Sequence, residues 1–108
     1  MRRRPTSHPA PAEQTLLGRA WRHRRRGEHR RAMLVLHEAC CRESSSARLW
    51  TLYAVQAWRA GRRQDAEDAL KQALWLRQRE RAPEKTRVTR ALLASLASGC
   101  VSVRLAVA

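Results

Sequence analysis

From Glu13 onward, apolar residues recur at the three-to-four spacing of a helix, in five blocks separated by short breaks. Leu16, Leu17, Ala20 and Trp21 stripe a first helix that Gly27 should end near Arg26. A second helix, about His29 to Arg42, turns Ala32, Val35, Leu36, Ala39 and Cys40 inward. Three serines follow, and Ser46 can cap the next helix by accepting from its free backbone N–H groups. That third helix, about Ala47 to Ala60, carries Leu49, Trp50, Tyr53, Ala54 and Ala57 inside, and Gly61 closes it. The fourth, about Arg63 to Arg79, buries Ala66, Ala69, Leu70, Ala73, Leu74 and Leu76. Pro83 opens a fifth at its first turn, where a missing N–H costs nothing. Its expected inner face is Val88, Ala91, Leu92, Ser95 and Leu96, with Gly99 as its stop. Before these blocks, Pro5, Pro9 and Pro11 make residues 1–12 read as a disordered basic arm. After them, VSVRLAVA reads as a loose or strand-like tail within 99–108. The expected fold is all-α, one helical domain over 13–98.

Shifting the chain on itself by 34 residues aligns Ala20 with Ala54, Gly27 with Gly61, Ala32 with Ala66, Leu36 with Leu70 and Ala39 with Ala73. Small residues let two helices approach closely, and glycine permits the tight turn between them. Two helical hairpins are therefore expected, 13–46 and 47–80, with 83–98 as a cap helix.

The segment ARLWTLYAVQAWRAGRRQDAEDALKQALWLRQRE resembles a tetratricopeptide repeat (TPR) through Trp50, Tyr53, Ala54, Gly61, Ala66, Leu70 and Ala73. It departs from the family at Ala57, where an aromatic is usual, and at Gln78, where proline is usual. Residues 13–46 resemble a more degenerate copy, with Arg19 and His23 at two normally apolar positions. A second register, which reads LGRAW as the family's LGxAY, shifts the first helix by two residues and puts Trp21 inside. The resemblance implies an α-solenoid fragment whose first helices line a partner-binding groove. On that register the groove carries Gln14, Leu17, Trp21, Arg24 and Arg25, then Arg48, Thr51, Val55, Trp58 and Arg59, then Lys85, Thr89, Leu92 and Leu93. Apolar anchors with a charged rim suit a helical or extended segment of another protein. The family's carboxylate clamp for chaperone C-termini is not expected, because Leu17, Trp21, Leu52, Ala82 and Thr86 stand at its positions. Length, helix order and turn sequences also resemble the small TPR chaperones of bacterial type III secretion. Two hairpins and a cap are short for a repeat array, so self-association or stabilisation by a partner is expected.

Composition narrows the function further. The chain of 108 residues carries 23 Lys plus Arg against nine Asp plus Glu, a net charge of +14. Only Lys71 and Lys85 are lysines, so Arg dominates, and such an excess favours acidic partners. The run at 19–31, seven arginines in thirteen residues around Trp21, offers an alternative function: phosphate contacts with base stacking on a nucleic acid. No glycine-rich phosphate loop, HExxH, GxSxG or pair of CxxC motifs is present, so neither an enzyme nor a cofactor is expected. His37, Cys40 and Cys41 have a spacing that could seed a metal site. The register instead makes Cys40 a small core residue and His37 a solvated one, so no metal is expected. Three cysteines, two of them adjacent, suit reduced thiols and a cytoplasmic protein. The N-terminal arginines precede no apolar stretch, so they do not read as a secretory signal. No run is long enough to span a membrane.

Overall fold

The computed structural model describes the backbone of residues 11–98 and the side chains of residues 15–98. Five helices follow in chain order: α1 Pro11–Arg25, α2 His29–Arg42, α3 Ala47–Arg59, α4 Arg63–Arg79 and α5 Pro83–Ser98. Consecutive helices pack on one another, α1 on α2, α2 on α3, α3 on α4 and α4 on α5. No helix among the described residues is long and apolar enough to cross a membrane. Ten residues of the expected basic arm, and the tail from Gly99, lie outside the described residues. Pro11 and Ala12, expected in that arm, belong to α1 instead. Proline blocks a helix only beyond its first turn, and Pro11 stands at the first helical position.

Three helices end in the same way. At the end of α1 the Glu28 N–H donates to the His23 carbonyl at 2.9 Å and the Gly27 N–H to the Arg24 carbonyl at 2.9 Å. At the end of α3, Arg62 and Gly61 repeat this with Ala57 and Trp58, at 2.8 and 3.0 Å. These are Schellman closures, which need one residue in the left-handed region. Gly27 has φ 76° and Gly61 φ 79°. At the end of α4 the same pair of bonds forms from Ala82 and Arg81, both at 3.1 Å, and here Arg81 takes φ 56°. The turn before α3 is built differently. Ser46 is extended, and its Oγ accepts from the Leu49 N–H at 3.2 Å, the expected cap.

The core follows the helical stripes. Leu16 and Ala20 of α1, Val35, Leu36, Ala39 and Cys40 of α2, Leu49, Tyr53, Ala54 and Ala57 of α3, and Ala66, Ala69 and Leu70 of α4 form one cluster. Positions 34 apart share their burial: Ala20 and Ala54, Ala32 and Ala66, Leu36 and Leu70, Ala39 and Ala73 are all buried. Trp50 is half-buried and bridges this cluster to a smaller one of Ala47, Ala73 and Leu76. Its Nε1 donates to the Ser44 carbonyl at 2.9 Å, closing the α2–α3 turn. In α1, Ala20 is buried, while Trp21 is 40% exposed. Arg19 is exposed, so its guanidinium stays in water. His23 is half-buried, with Nδ1 donating to Glu28 Oε1 at 2.7 Å.

The inner face of α5 differs from the expected one. Val88 and Ala91 point outward and Ser95 is only half-buried, whereas Thr86, Thr89, Leu92 and Leu96 are buried. Thr89 is fully buried because its hydroxyl needs no water: it donates to the Lys85 carbonyl at 2.8 Å and accepts from Arg77 Nη1 at 2.8 Å. Burial also pushes the Arg77 pKa down from its ordinary value. At the other end of α5, Arg63 Nη2 donates to the carbonyls of Leu96 and Ala97 at 2.6 and 3.0 Å. A cation on the last carbonyls of a helix offsets the negative end of its dipole.

Candidate interaction groove

Side chains of α1 and α3 meet over the inward-facing part of α2. Leu17, Ala20, Trp21 and Arg24 project from one row of α1, and Leu52, Val55 and Gln56 from α3, with Leu36 of α2 between them. Residues i, i+3, i+4 and i+7 of a helix share a face, which is why α1 supplies four of the eight. The cleft is almost wholly apolar, and its free volume is about 20 Å³. That admits a group the size of a water or a methyl and encloses no small-molecule ligand.

One turn further along α1, the cleft opens into a second depression lined by Trp21, Arg24, Arg25 and Arg59. The Arg24 guanidinium lies 4.6 Å from the centre of the Trp21 ring, a cation–π contact. Arg24 and Arg59 are half-buried and Arg25 is exposed. Desolvation first, and the neighbouring positive charge of Arg59 second, push the Arg24 pKa down. Ion pairs among the described residues join His23 to Glu28, Arg42 to Glu38, Arg62 to Asp65, Arg63 to Glu67 and Arg87 to Glu84. None of them neutralises Arg24, Arg25 or Arg59. A third depression, lined by His29, Trp58, Arg59, Gly61 and Arg63, continues beyond Arg59. His29 is held there by Nδ1 donating to Gln56 Oε1 at 3.3 Å.

The structure thus brings together seven of the fourteen residues expected at the groove: Leu17, Trp21, Arg24, Arg25, Val55, Trp58 and Arg59. Arg48 is set apart. It is exposed in the first turn of α3, eleven residues from Arg59 and so roughly 16 Å along the helix. Leu92 is a core residue, buried in the main cluster as the expected inner face of α5 has it, and so is not free to line the groove. Thr89 is buried as well, and Leu93 packs half-buried against that cluster. Thr51, also expected at the groove, is buried with its hydroxyl on the Ala47 carbonyl at 2.9 Å. The side chain of Gln14 lies outside the described residues.

Leu52 and Gln56 were not expected as lining residues. Leu52 was legible in principle, one turn before Val55 on the same face of α3. Gln56 was not, because only the contact with His29 explains a glutamine buried there.

Elsewhere, Trp75 on α4 is 51% exposed, with the Arg79 guanidinium 4.7 Å from its ring centre. Cys40 is buried, and burial pushes its thiol up to about 12. Cys41 is exposed, with Sγ 3.9 Å from His37 Nδ1, and the His37 ring rests against Tyr53 at 5.2 Å between centres. Among the described residues no three His, Cys, Asp or Glu side chains are grouped to hold a metal ion. Compared with known proteins, the chain matches no family model, and no curated protein or solved structure shows significant similarity to it.

Proposed function

We propose that this chain is a non-enzymatic protein-interaction module, a cytoplasmic adaptor or chaperone that holds a segment of a partner protein along α1 and α3. The observation that carries this reading is the apolar seat of Leu17, Leu52 and Val55 with the exposed Trp21 at its edge and three arginines beyond. An exposed indole beside an apolar cleft is the kind of anchor on which interface energy concentrates. The TPR reading accompanies it. Its supports are the shared burial of residues 34 apart and the equal left-handed conformations of Gly27 and Gly61. The small type III secretion chaperones have this build, and the partner would then be a helical export substrate or apparatus subunit. The free thiols of Cys40 and Cys41 suit a reducing compartment.

The test is affinity capture from the native cell extract with the wild-type chain and with Trp21→Ala. A partner held by wild type should be lost by the variant, whose helical circular dichroism stays the same because Trp21 is outside the core. Equal retention by Trp21→Ala removes the groove from the account.

A second reading has its own observation: three guanidiniums, in no ion pair with an acidic side chain among the described residues, surround an exposed indole, as phosphate contacts beside a stacked base would require. On this reading, affinity for duplex falls with log salt at a slope of about −0.9 per phosphate neutralised. Replacing Arg24, Arg25 and Arg26 together should then abolish most of it.

A further inference from the structure

Like charges are brought together at one end of the groove, and no acidic side chain among the described residues is ion-paired with them. Arg24 and Arg59 come from different helices, are both half-buried, and line one depression with Arg25. Close approach of two partly desolvated guanidiniums opposes folding. Other arginines in the chain are placed differently: Arg63 sits on helix-end carbonyls and on Glu67, and Arg77 on the Thr89 hydroxyl. The depression shares Trp21 and Arg24 with the apolar seat, so the two are contiguous and offset by about one turn of α1, roughly 5.4 Å.

We infer that the Trp21, Arg24, Arg25 and Arg59 depression is a carboxylate-binding subsite, which takes an Asp or Glu of a partner segment one helical turn from the apolar residue seated between Leu17 and Val55. The inference rests on the protein-interaction reading and adds to it the chemistry and spacing that the partner must have. A planar guanidinium matches a carboxylate with two parallel hydrogen bonds, and two such groups on different helices can grip one acid from both sides. The apolar seat alone would accept a methyl-sized tip of an aliphatic side chain whatever charges flank it. The arginines would make the groove selective for an acidic amphipathic segment, and the bound carboxylate would relieve the repulsion between Arg24 and Arg59. The subsite therefore sets folding stability against binding, and that opposition is measurable.

The experiment uses the full chain and three probes: a Leu/Ala helical peptide with Glu one turn from each Leu, the same peptide with Gln for Glu, and a single-stranded oligouridylate matched in net charge to the Glu peptide. Arg59→Met keeps the aliphatic stem and removes the charge, and Arg25→Gln changes an exposed side chain. The expected result is that the Glu peptide binds at least about tenfold more tightly than the Gln peptide, about 1.4 kcal/mol. Each variant should lose most of that difference, while Arg59→Met melts no lower than wild type at low salt. Equal binding of the two peptides overturns the subsite and leaves the groove intact. Binding of neither peptide overturns both. Oligouridylate binding more tightly than the Glu peptide at the same salt also overturns the inference, in favour of a phosphate ligand. A lower melting temperature of Arg59→Met with unchanged peptide affinity would make Arg59 a structural residue and end the proposal.

Discussion

Arg81 occupies a place that the two equivalent turns give to glycine. Its φ of 56° puts a Cβ in the left-handed region, which costs roughly 1–2 kcal/mol for an ordinary residue. Arg81→Gly removes that steric cost and adds back some unfolded-state entropy, so a net gain of about 0.5–1 kcal/mol is expected. Urea unfolding should show a higher midpoint at an unchanged slope. The converse, Gly61→Ala, should lose stability although open space surrounds the position, because the strain is in the backbone. At the α1–α2 turn, the His23 hydrogen bond, helped by the nearby charges of Arg31 and Arg26 against some desolvation, holds the Glu28 carboxyl below its ordinary value of 4.5. Glu28 therefore binds a proton less readily in the folded chain than in the unfolded one. Its contribution is present above the unfolded value and is lost as pH falls through the lower folded value. Stability measured from pH 7 downward should show Glu28→Gln less stable than wild type at neutral pH, with the two curves converging in acid. A constant gap across that range would mean the carboxylate charge is irrelevant at this turn.

The helices were legible because three kinds of signal coincided: apolar spacing, a glycine or serine at three of the four breaks, and proline at the first turn after the fourth. α2 and α4 have their expected bounds, and α1 begins two residues early only because Pro11 starts a helix rather than blocking one. α5 was read in the wrong phase because an apolar count cannot tell that a threonine is self-satisfied. Thr89 buries a hydroxyl that already has a donor and an acceptor, and Val88 is left outside. The groove had a different limit. Its α1 and α3 residues came from the register that the TPR resemblance implies, and the same register placed Leu92 and Thr89 there although both are buried. That register set Arg24 and Arg59, thirty-five residues apart, along one groove, but only the structure shows them near enough to act on each other electrostatically. The corrected phase makes its own prediction. Thr89→Val leaves the half-buried Arg77 without its hydroxyl acceptor and should cost about 1–3 kcal/mol. Val88→Ala, at a residue 51% exposed, should stay within about 0.5 kcal/mol of wild type. Reversal of that order in paired thermal melts would restore the apolar-count phase.

At the scale of the molecule, the main packing joins each helix to its neighbours in the chain. The interior helices α2, α3 and α4 are each held from two sides, and α1 from α2 alone among these principal contacts. Held mainly from one side, α1 should exchange its amides faster than α3 and α4 do. A segment seated between α1 and α3 should slow α1 the most, because it supplies the second side that helix lacks. Exchange measured with and without the Glu peptide checks this, and equal protection of α1 and α3 in the free chain would contradict it. The same chain-neighbour order bears on how the molecule assembles. Each interface closes across a turn of a few residues, so no step has to gather distant segments before any contact rewards it. Contacts so local in sequence put the chain among fast folders, and growth can start at the α3–α4 pair and add a helix at either side. For a chain with this excess of positive charge, a short life in the open state limits the time during which acidic polymers can capture it before the groove exists.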